Sequence, residues 1–224
     1  MNSYIINFSL SFQIASFIVY YITLFFVIIF DHIFFNIKII GRNNLNIRKA
    51  ILISNHTLYL DPGILSHAIM PRRTYFSAME KTFNKKILGT YIRLLGAFPL
   101  KDNTPLLSAL KQIKRAIDKR GFIHIFPEGE LYHYNQKVKD FKNGAFYLSF
   151  IFNIPVIPIA LLVKQRSFLG KKTRLLPPKV IVLIEKPLFP YEFNNYSLKE
   201  EKINAMKEKA QNIIQNSINL YNIK

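Results

Sequence analysis

Hydrophobic and polar positions divide the chain into two regimes. Met1 to Phe30 carries no charged side chain, and residues 11–30 (SFQIASFIVYYITLFFVIIF) are almost continuously apolar. Roughly 20 such residues are enough to cross the hydrocarbon core as one helix, with two shorter membrane-embedded helices as the alternative. Beyond them, short runs rich in Ile, Val and Phe alternate with stretches of helical spacing. Residues 37–40, 50–54, 74–78, 97–100, 122–126, 156–163 and 179–185 predict strands. Thr104-Pro105 predicts a helix start, after which Leu106, Leu107, Leu110, Ile113 and Ile117 keep one face until Gly121 ends the element. A last long helix is expected from Ser197, with Glu200 completing a capping box. Its buried stripe would be Ile203, Met206, Ala210, Ile213, Ile214 and Tyr221. Residues 170–178 (GKKTRLLPP) read as a basic, exposed loop. The alternation predicts an α/β fold: a single mixed sheet of about seven strands flanked by helices, behind an N-terminal membrane-anchoring helical segment. Residues 1–35 are that segment and 36–224 the domain.

Composition narrows the partners. The 224 residues suit one domain, or one domain plus an appendage. The absence of cysteine excludes disulfides, thiolate zinc sites and a cysteine nucleophile. A formal charge of +18 calls for an anionic partner: nucleic acid, acidic head groups or a phosphorylated substrate. The apolar segment lacks the basic start and small-residue cleavage site of a signal peptide, so it is expected to stay as an anchor. Lys38, Arg42, Arg48 and Lys49 follow it, which by the positive-inside rule places the domain on the cytoplasmic face of the cell membrane. An anionic membrane surface is therefore the expected partner, and no nucleic acid, because the lysines are scattered and not clustered with aromatics on one face.

The chemistry concentrates in Ile51-Leu52-Ile53-Ser54-Asn55-His56-Thr57-Leu58-Tyr59-Leu60-Asp61-Pro62. An apolar run stops at Asn-His, and an aspartate follows five positions after the histidine. Imidazole takes and returns protons near neutrality, and a nearby carboxylate fixes its tautomer. In a continuous helix His56 and Asp61 would diverge. Pro62, however, disfavours helical geometry at Asp61 and suits the first turn of a new helix. Asp61 is thus expected as an N-cap, with 56–60 a turn that folds His56 back towards it.

Three further segments lie at expected strand ends, where α/β folds place ligands. In Phe126-Pro127-Glu128-Gly129-Glu130 the proline stops a strand, the glycine permits a tight turn, and Glu128 is set to meet substrate hydroxyls or organise the site; an acidic turn by chance is the plain alternative. Gly96-Ala97-Phe98-Pro99-Leu100-Lys101 ends in a cation able to hold a phosphate as a point charge. Ile154-Pro155-Val156-Ile157-Pro158 enters a strand between prolines and shapes a wall. His124, Glu128, Glu130 and His133 match no common zinc spacing, so no metal is expected. His32 and His67 have no obvious partner. Neither a G-x-S-x-G elbow nor a G-x-x-x-x-G-K-[ST] loop is present.

Taken in order, these segments resemble the glycerolipid acyltransferase superfamily, whose best-known members are 1-acyl-glycerol-3-phosphate acyltransferases. Its N-H-x-x-x-x-D motif is matched by Asn55, His56 and Asp61, and its F-P-E-G by Phe126, Pro127, Glu128 and Gly129. Phe141-Lys142-Asn143-Gly144-Ala145 looks like the family's F-K-x-G-A, and residues 154–158 look like its V-P-I-V-P strand. The similarity spans roughly residues 38–190. Two arginines of the family pattern are missing: Asp102 stands where the second motif carries one, with Lys101 the nearest substitute, and Glu130-Leu131 replace the T-R that often follows E-G. Arg72, Arg73, Lys81, Lys137 and Lys139 are the candidates to compensate.

The resemblance implies a membrane-bound O-acyltransferase of phospholipid biosynthesis. His56 and Asp61 would be the catalytic dyad; Asn55, Lys101, Glu128 and Gly129 would bind substrate. It implies no cofactor beyond the acyl thioester co-substrate, acyl-CoA or acyl-acyl carrier protein, and a lysophospholipid acceptor, lysophosphatidate first. Another lysophospholipid or membrane alcohol is the rival acceptor, and a non-catalytic lipid-binding protein the rival class.

Overall fold

The computed structural model describes residues 6–100, 106–168, 171–172 and 176–222. The apolar segment forms α1 (Leu10–Phe30), continued by a π-helical turn over Asp31–Phe35. Then come β1 (Lys38–Ile40), β2 (Ala50–Ser54), α2 (Asp61–Ala68), β3 (Thr74–Met79), α3 (Glu80–Phe83), α4 (Lys86–Leu95) and β4 (Ala97–Leu100). The second half holds α5 (Leu106–Arg120), β5 (Phe122–Ile125), α6 (Gly144–Phe152), β6 (Val156–Lys164), β7 (Ser167–Phe168), β8 (Lys171–Lys172), β9 (Lys179–Ile184) and α7 (Lys199–Asn222). The expected helix start at Thr104-Pro105 lies outside the described residues.

Seven strands make one sheet in the order β1-β9-β6-β2-β5-β3-β4. Strands β6, β2, β5, β3 and β4 run parallel, while β9 is antiparallel to β6 and parallel to β1. All seven expected strands are present in one mixed sheet. Parallel strands covered on both faces read as unbroken apolar runs, and β2 is buried at every position. Its alternate residues serve different layers. Ile51 and Ile53 belong to one core with Ile113 and Ile117 of α5, Phe146 of α6 and Met206 of α7; Ala50 and Leu52 belong to another with Ile64, Leu65 and Ala68 of α2. Gly121 ends α5 at φ 80°, where a Cβ would stand 2.4 Å from the Arg48 carbonyl oxygen.

Three local expectations change. The carboxylate that caps the last helix is Glu201, which accepts the Leu198 N–H at 3.2 Å, one residue beyond the expected Ser197–Glu200 box. Its stripe gains Ile218, fully buried, with Ile213 and Tyr221 at its margin. Within the expected loop, Lys171 and Lys172 pair with Phe168 and Ser167 as a two-stranded ribbon. Finally, α1 is packed along α2 and α4: Ser16, Tyr20 and Leu24 are buried, and Ser16 Oγ donates to the Leu94 carbonyl at 2.5 Å. Its opposite side exposes Phe17, Ile18, Ile22, Phe25 and Phe26. Residues 10–35 are long and apolar enough to cross a membrane.

Candidate active site

Parallel pairing of β2 with β5 aligns Ile53 with Ile125, so Asn55-His56 and Phe126-Pro127-Glu128 leave the sheet side by side at one end. His56 Nδ1 and Asp61 Oδ2 are 2.8 Å apart. The same oxygen accepts the N–H groups of Thr57 (2.6 Å) and Leu58 (2.9 Å). Asp61 is the first residue of α2, so its carboxylate caps the preceding turn and not the helix, correcting the expected N-cap. The consequence is the one sought: the turn wraps the carboxylate and brings His56 back onto it. With Nδ1 donating to the carboxylate, Nε2 carries the free lone pair. The His56 ring stacks on Phe126, centroids 3.9 Å apart and planes at 19°, which holds it upright at the rim.

Asn55 is placed differently from a substrate ligand. Its Nδ2 donates to the Leu161 carbonyl (2.9 Å) and its Oδ1 accepts the Leu161 N–H (2.8 Å), tying the end of β2 to β6. Both ends of the amide are occupied, and the residue is buried. Glu128 is 6 % exposed. Burial pushes its carboxyl up to about 7; the Lys139 and His56 backbone N–H groups pull against this, and the Asp61 carboxylate adds to it. Gly129 closes the turn, its N–H bonded to the Phe126 carbonyl at 3.1 Å. Its φ is 76°, and a Cβ there would stand 2.7 Å from Lys142 Nζ. Lys101 lies outside the described residues.

Several participants went unnoticed in the sequence. Lys142, seen there only as part of a motif, lies across Gly129. Lys139, already a candidate to compensate for a missing arginine, has its backbone at Glu128 and its ammonium over the Tyr132 ring. Tyr132 and Tyr134 donate backbone N–H groups to the carbonyls of His56 (3.0 Å) and Thr57 (3.1 Å), lacing the second loop over the first. Arg72 and Arg73 precede β3 and lie at the opposite end of the sheet. His124 sits inside β5 against Ser54 Oγ (3.1 Å); burial, aided by His56, pulls it down to about 3 and keeps it neutral. Among the described residues no group of three His, Asp or Glu side chains is placed to hold a metal ion. His67, expected to be alone, pairs through Nδ1 with Asp31 Oδ2 at 2.8 Å, with the His32 ring 5.3 Å away. Beyond Asp61, an apolar cleft of roughly 300 Å³ including its mouth runs between α1 and α2, lined by Tyr20, Leu24, Val27, Pro62, Gly63 and Phe76.

Comparison with known proteins gives a consistent answer. A family model described as Acyltransferase matches residues 36–162. A Streptococcus pneumoniae protein named 1-acyl-sn-glycerol-3-phosphate acyltransferase is 32 % identical over 111 residues, 49 % of this chain and 40 % of that one. A Bacillus subtilis protein of the same name is 24 % identical over 173 residues, covering 77 % and 83 %. The chain thus spans under half of the first relative and most of the second. The crystal structure of the 1-acyl-sn-glycerophosphate (LPA) acyltransferase PlsC from Thermotoga maritima superposes with a TM-score of 0.61 over 96 % of both chains at 18 % identity, a likeness of fold.

Proposed function

This chain belongs to the acyltransferase family that the matching model defines, and from that premise we propose that it moves a fatty acyl group from a thioester to lysophosphatidate, giving phosphatidate. The acceptor hydroxyl oxygen attacks the thioester carbonyl while His56 Nε2 takes its proton. The C–S bond then breaks, and the departing sulfur receives that proton from the imidazolium. Products are the new ester and a free thiol, so neither a covalent acyl-enzyme nor an added reductant enters. The observation that carries this reading is the 2.8 Å His56–Asp61 contact, which leaves Nε2 free beside the Glu128-Gly129 turn. General-base help of this kind contributes about 10²–10⁴-fold in rate.

The surroundings divide the remaining work. The Thr57 and Leu58 N–H groups are held by Asp61 and are not available to an oxyanion. Asn55 acts by positioning, through Leu161. Glu128, near its midpoint at neutral pH, both donates to and accepts from an acceptor hydroxyl. Lys142 and Lys139 bring positive charge to this end for the acceptor's phosphate, with Lys101 a further candidate. The small cleft between α1 and α2 presents an apolar surface beside this site. Acyl-CoA and acyl-acyl carrier protein are both anionic, and the +18 charge favours either. The apolar α1 holds the domain on the cytoplasmic leaflet.

One observation favours a second acceptor. Leu131 stands where the family pattern that the chain resembles often carries an arginine, and the nearby cations are Lys142 and Lys139, point charges without a guanidinium's fork. Another lysophospholipid or membrane alcohol is then the substrate. Purified protein offered a panel of lyso-lipids with each donor decides: acylation of lysophosphatidate supports the first reading, and its absence alongside turnover of another acceptor supports the second. No transfer to any acceptor would leave the non-catalytic lipid-binding class.

A further inference from the structure

Two guanidinium groups meet on the domain side of α1, with no acid beside them among the described residues. Arg73 precedes β3 and Arg120 ends α5. Arg73 Nη2 donates to the Ser16 hydroxyl (2.9 Å) and carbonyl (3.1 Å), and Arg120 Nη2 reaches the same hydroxyl at 3.5 Å. Arg120 Nη1 also donates to the Thr74 carbonyl at 3.0 Å. Each guanidinium lies over a tyrosine ring, Arg73 over Tyr20 at 4.4 Å and Arg120 over Tyr75 at 3.6 Å. Arg115 and Lys119, both exposed, follow along α5, and both reach the ring of Phe8. Among the described residues none of these four cations is ion-paired with a carboxylate.

That arrangement is unfavourable as it stands. Burial lowers Arg73 and pulls Arg120 down to about 10, with the neighbouring positive charge adding to the shift at Arg120, which remains charged at neutral pH. Arg73 Nε is buried without a partner. Cation–π contact offsets part of the cost and supplies no countercharge. Paired guanidiniums suit phosphate oxygens.

The position of the pair also constrains α1. Were α1 to cross a bilayer, Ser16 would lie about 9 Å inside it, at 1.5 Å per residue from Leu10. The two guanidiniums, and α4 alongside, would be drawn into hydrocarbon, where charge is strongly disfavoured. Laid in the plane instead, the helix buries Phe17, Ile18, Ile22 and Phe25 in the acyl boundary. Its domain side then comes level with the head groups.

We propose that Arg73 and Arg120, flanked by Arg115 and Lys119, form a phosphate-binding subsite for the head group of an anionic membrane lipid. The inference is independent of the acyl-transfer reading. The chain has no tryptophan, so Phe17→Trp introduces a single fluorophore beside Arg73. The full-length variant is reconstituted in phosphatidylcholine vesicles carrying either brominated phosphatidylglycerol or brominated phosphatidylcholine. Phosphatidylglycerol should be enriched at the tryptophan roughly fivefold for each of the two charges, with bromines near the head group quenching more than those near the chain end. Arg73→Gln with Arg120→Gln should abolish the enrichment. If that pair fails to fold, the exposed Arg115→Gln/Lys119→Gln pair must at least halve it. Equal quenching by the two lipids, stronger quenching from the chain end, or enrichment unchanged in the variants that fold would overturn the proposal. So would its loss to inorganic phosphate, which would mark a site for the free anion.

Discussion

Among the described residues, two histidine–aspartate pairs share the same 2.8 Å Nδ1–Oδ2 bond in different surroundings. At His56–Asp61 the imidazole is 19 % exposed and the carboxylate 1 %; at His67–Asp31 the values are 6 % and 2 %. The first pair joins a loop to a helix start beside Glu128 and the F-P-E-G turn. The second clamps the end of α1 to α2, with the His32 ring laid against it. A short bond to a carboxylate therefore does not mark a proton-transfer site. What distinguishes the first pair is a more exposed imidazole at a rim lined by strand ends. The second pair has the same chemistry enclosed between helices, where it holds two elements together.

The sharpest break between the pairs is kinetic. His56→Ala should lower acyl transfer by about 10²–10⁴-fold while thermal unfolding stays near that of the parent. Asp61→Asn should also lower transfer, by removing the charge that stabilises the imidazolium. The Thr57 and Leu58 N–H groups point at the atom that meets His56, so an amide keeps its oxygen there and the ring keeps its tautomer. Steady-state rates on lysophosphatidate with either donor check both. A fast His56→Ala enzyme would assign the base elsewhere.

The same comparison explains what could be read from the chain. Strands at 50–54 and 156–163 were legible because parallel strands buried on both faces leave an uninterrupted apolar run. The His56–Asp61 meeting was legible because five residues and Pro62 confine it locally, although Asp61 proved to cap the turn and not the helix. His67–Asp31 spans 36 positions and Asn55–Leu161 spans 106, and no local pattern signals either. Both depend on how α1 and β6 dock after the elements have formed. Lys142 over Gly129 is similar: its motif was visible, its contact was not.

The buried pair should answer to stability where the exposed one answers to rate. His67→Phe strands Asp31 in a buried position, and removing one partner of such a pair costs about 3–5 kcal/mol. Denaturant unfolding should show that loss, with transfer per folded molecule unchanged. A parallel fall in turnover at full stability would erase the distinction between the pairs. Asn55→Ala should lie between these extremes. It leaves the Leu161 N–H and carbonyl unpartnered, a loss of roughly 1–3 kcal/mol for each buried group, and it loosens the turn that carries His56. Both readouts should move together.

The smallest effect tests the neighbour that the buried pair lacks. Glu128 is raised from 4.5 to about 7 in the folded state, mainly by burial. A raised carboxyl binds its proton more tightly in the folded than in the unfolded chain. Its contribution to stability is therefore complete below pH 4.5 and is lost as pH rises through about 7. Between those values the slope for one proton approaches about 1.4 kcal/mol per pH unit. Other groups titrate in the same window, so the quantity to measure is the difference between the parent and Glu128→Gln. The amide variant should lack this decline and gain relative stability as pH rises towards neutrality. Because the Asp61 carboxylate adds to the shift, Asp61→Asn should shrink the Glu128 contribution, whereas Asp31→Asn, at the distant pair, should leave it intact. Equal responses to the two aspartate changes would mean that Glu128 does not sense the field of the His56–Asp61 pair.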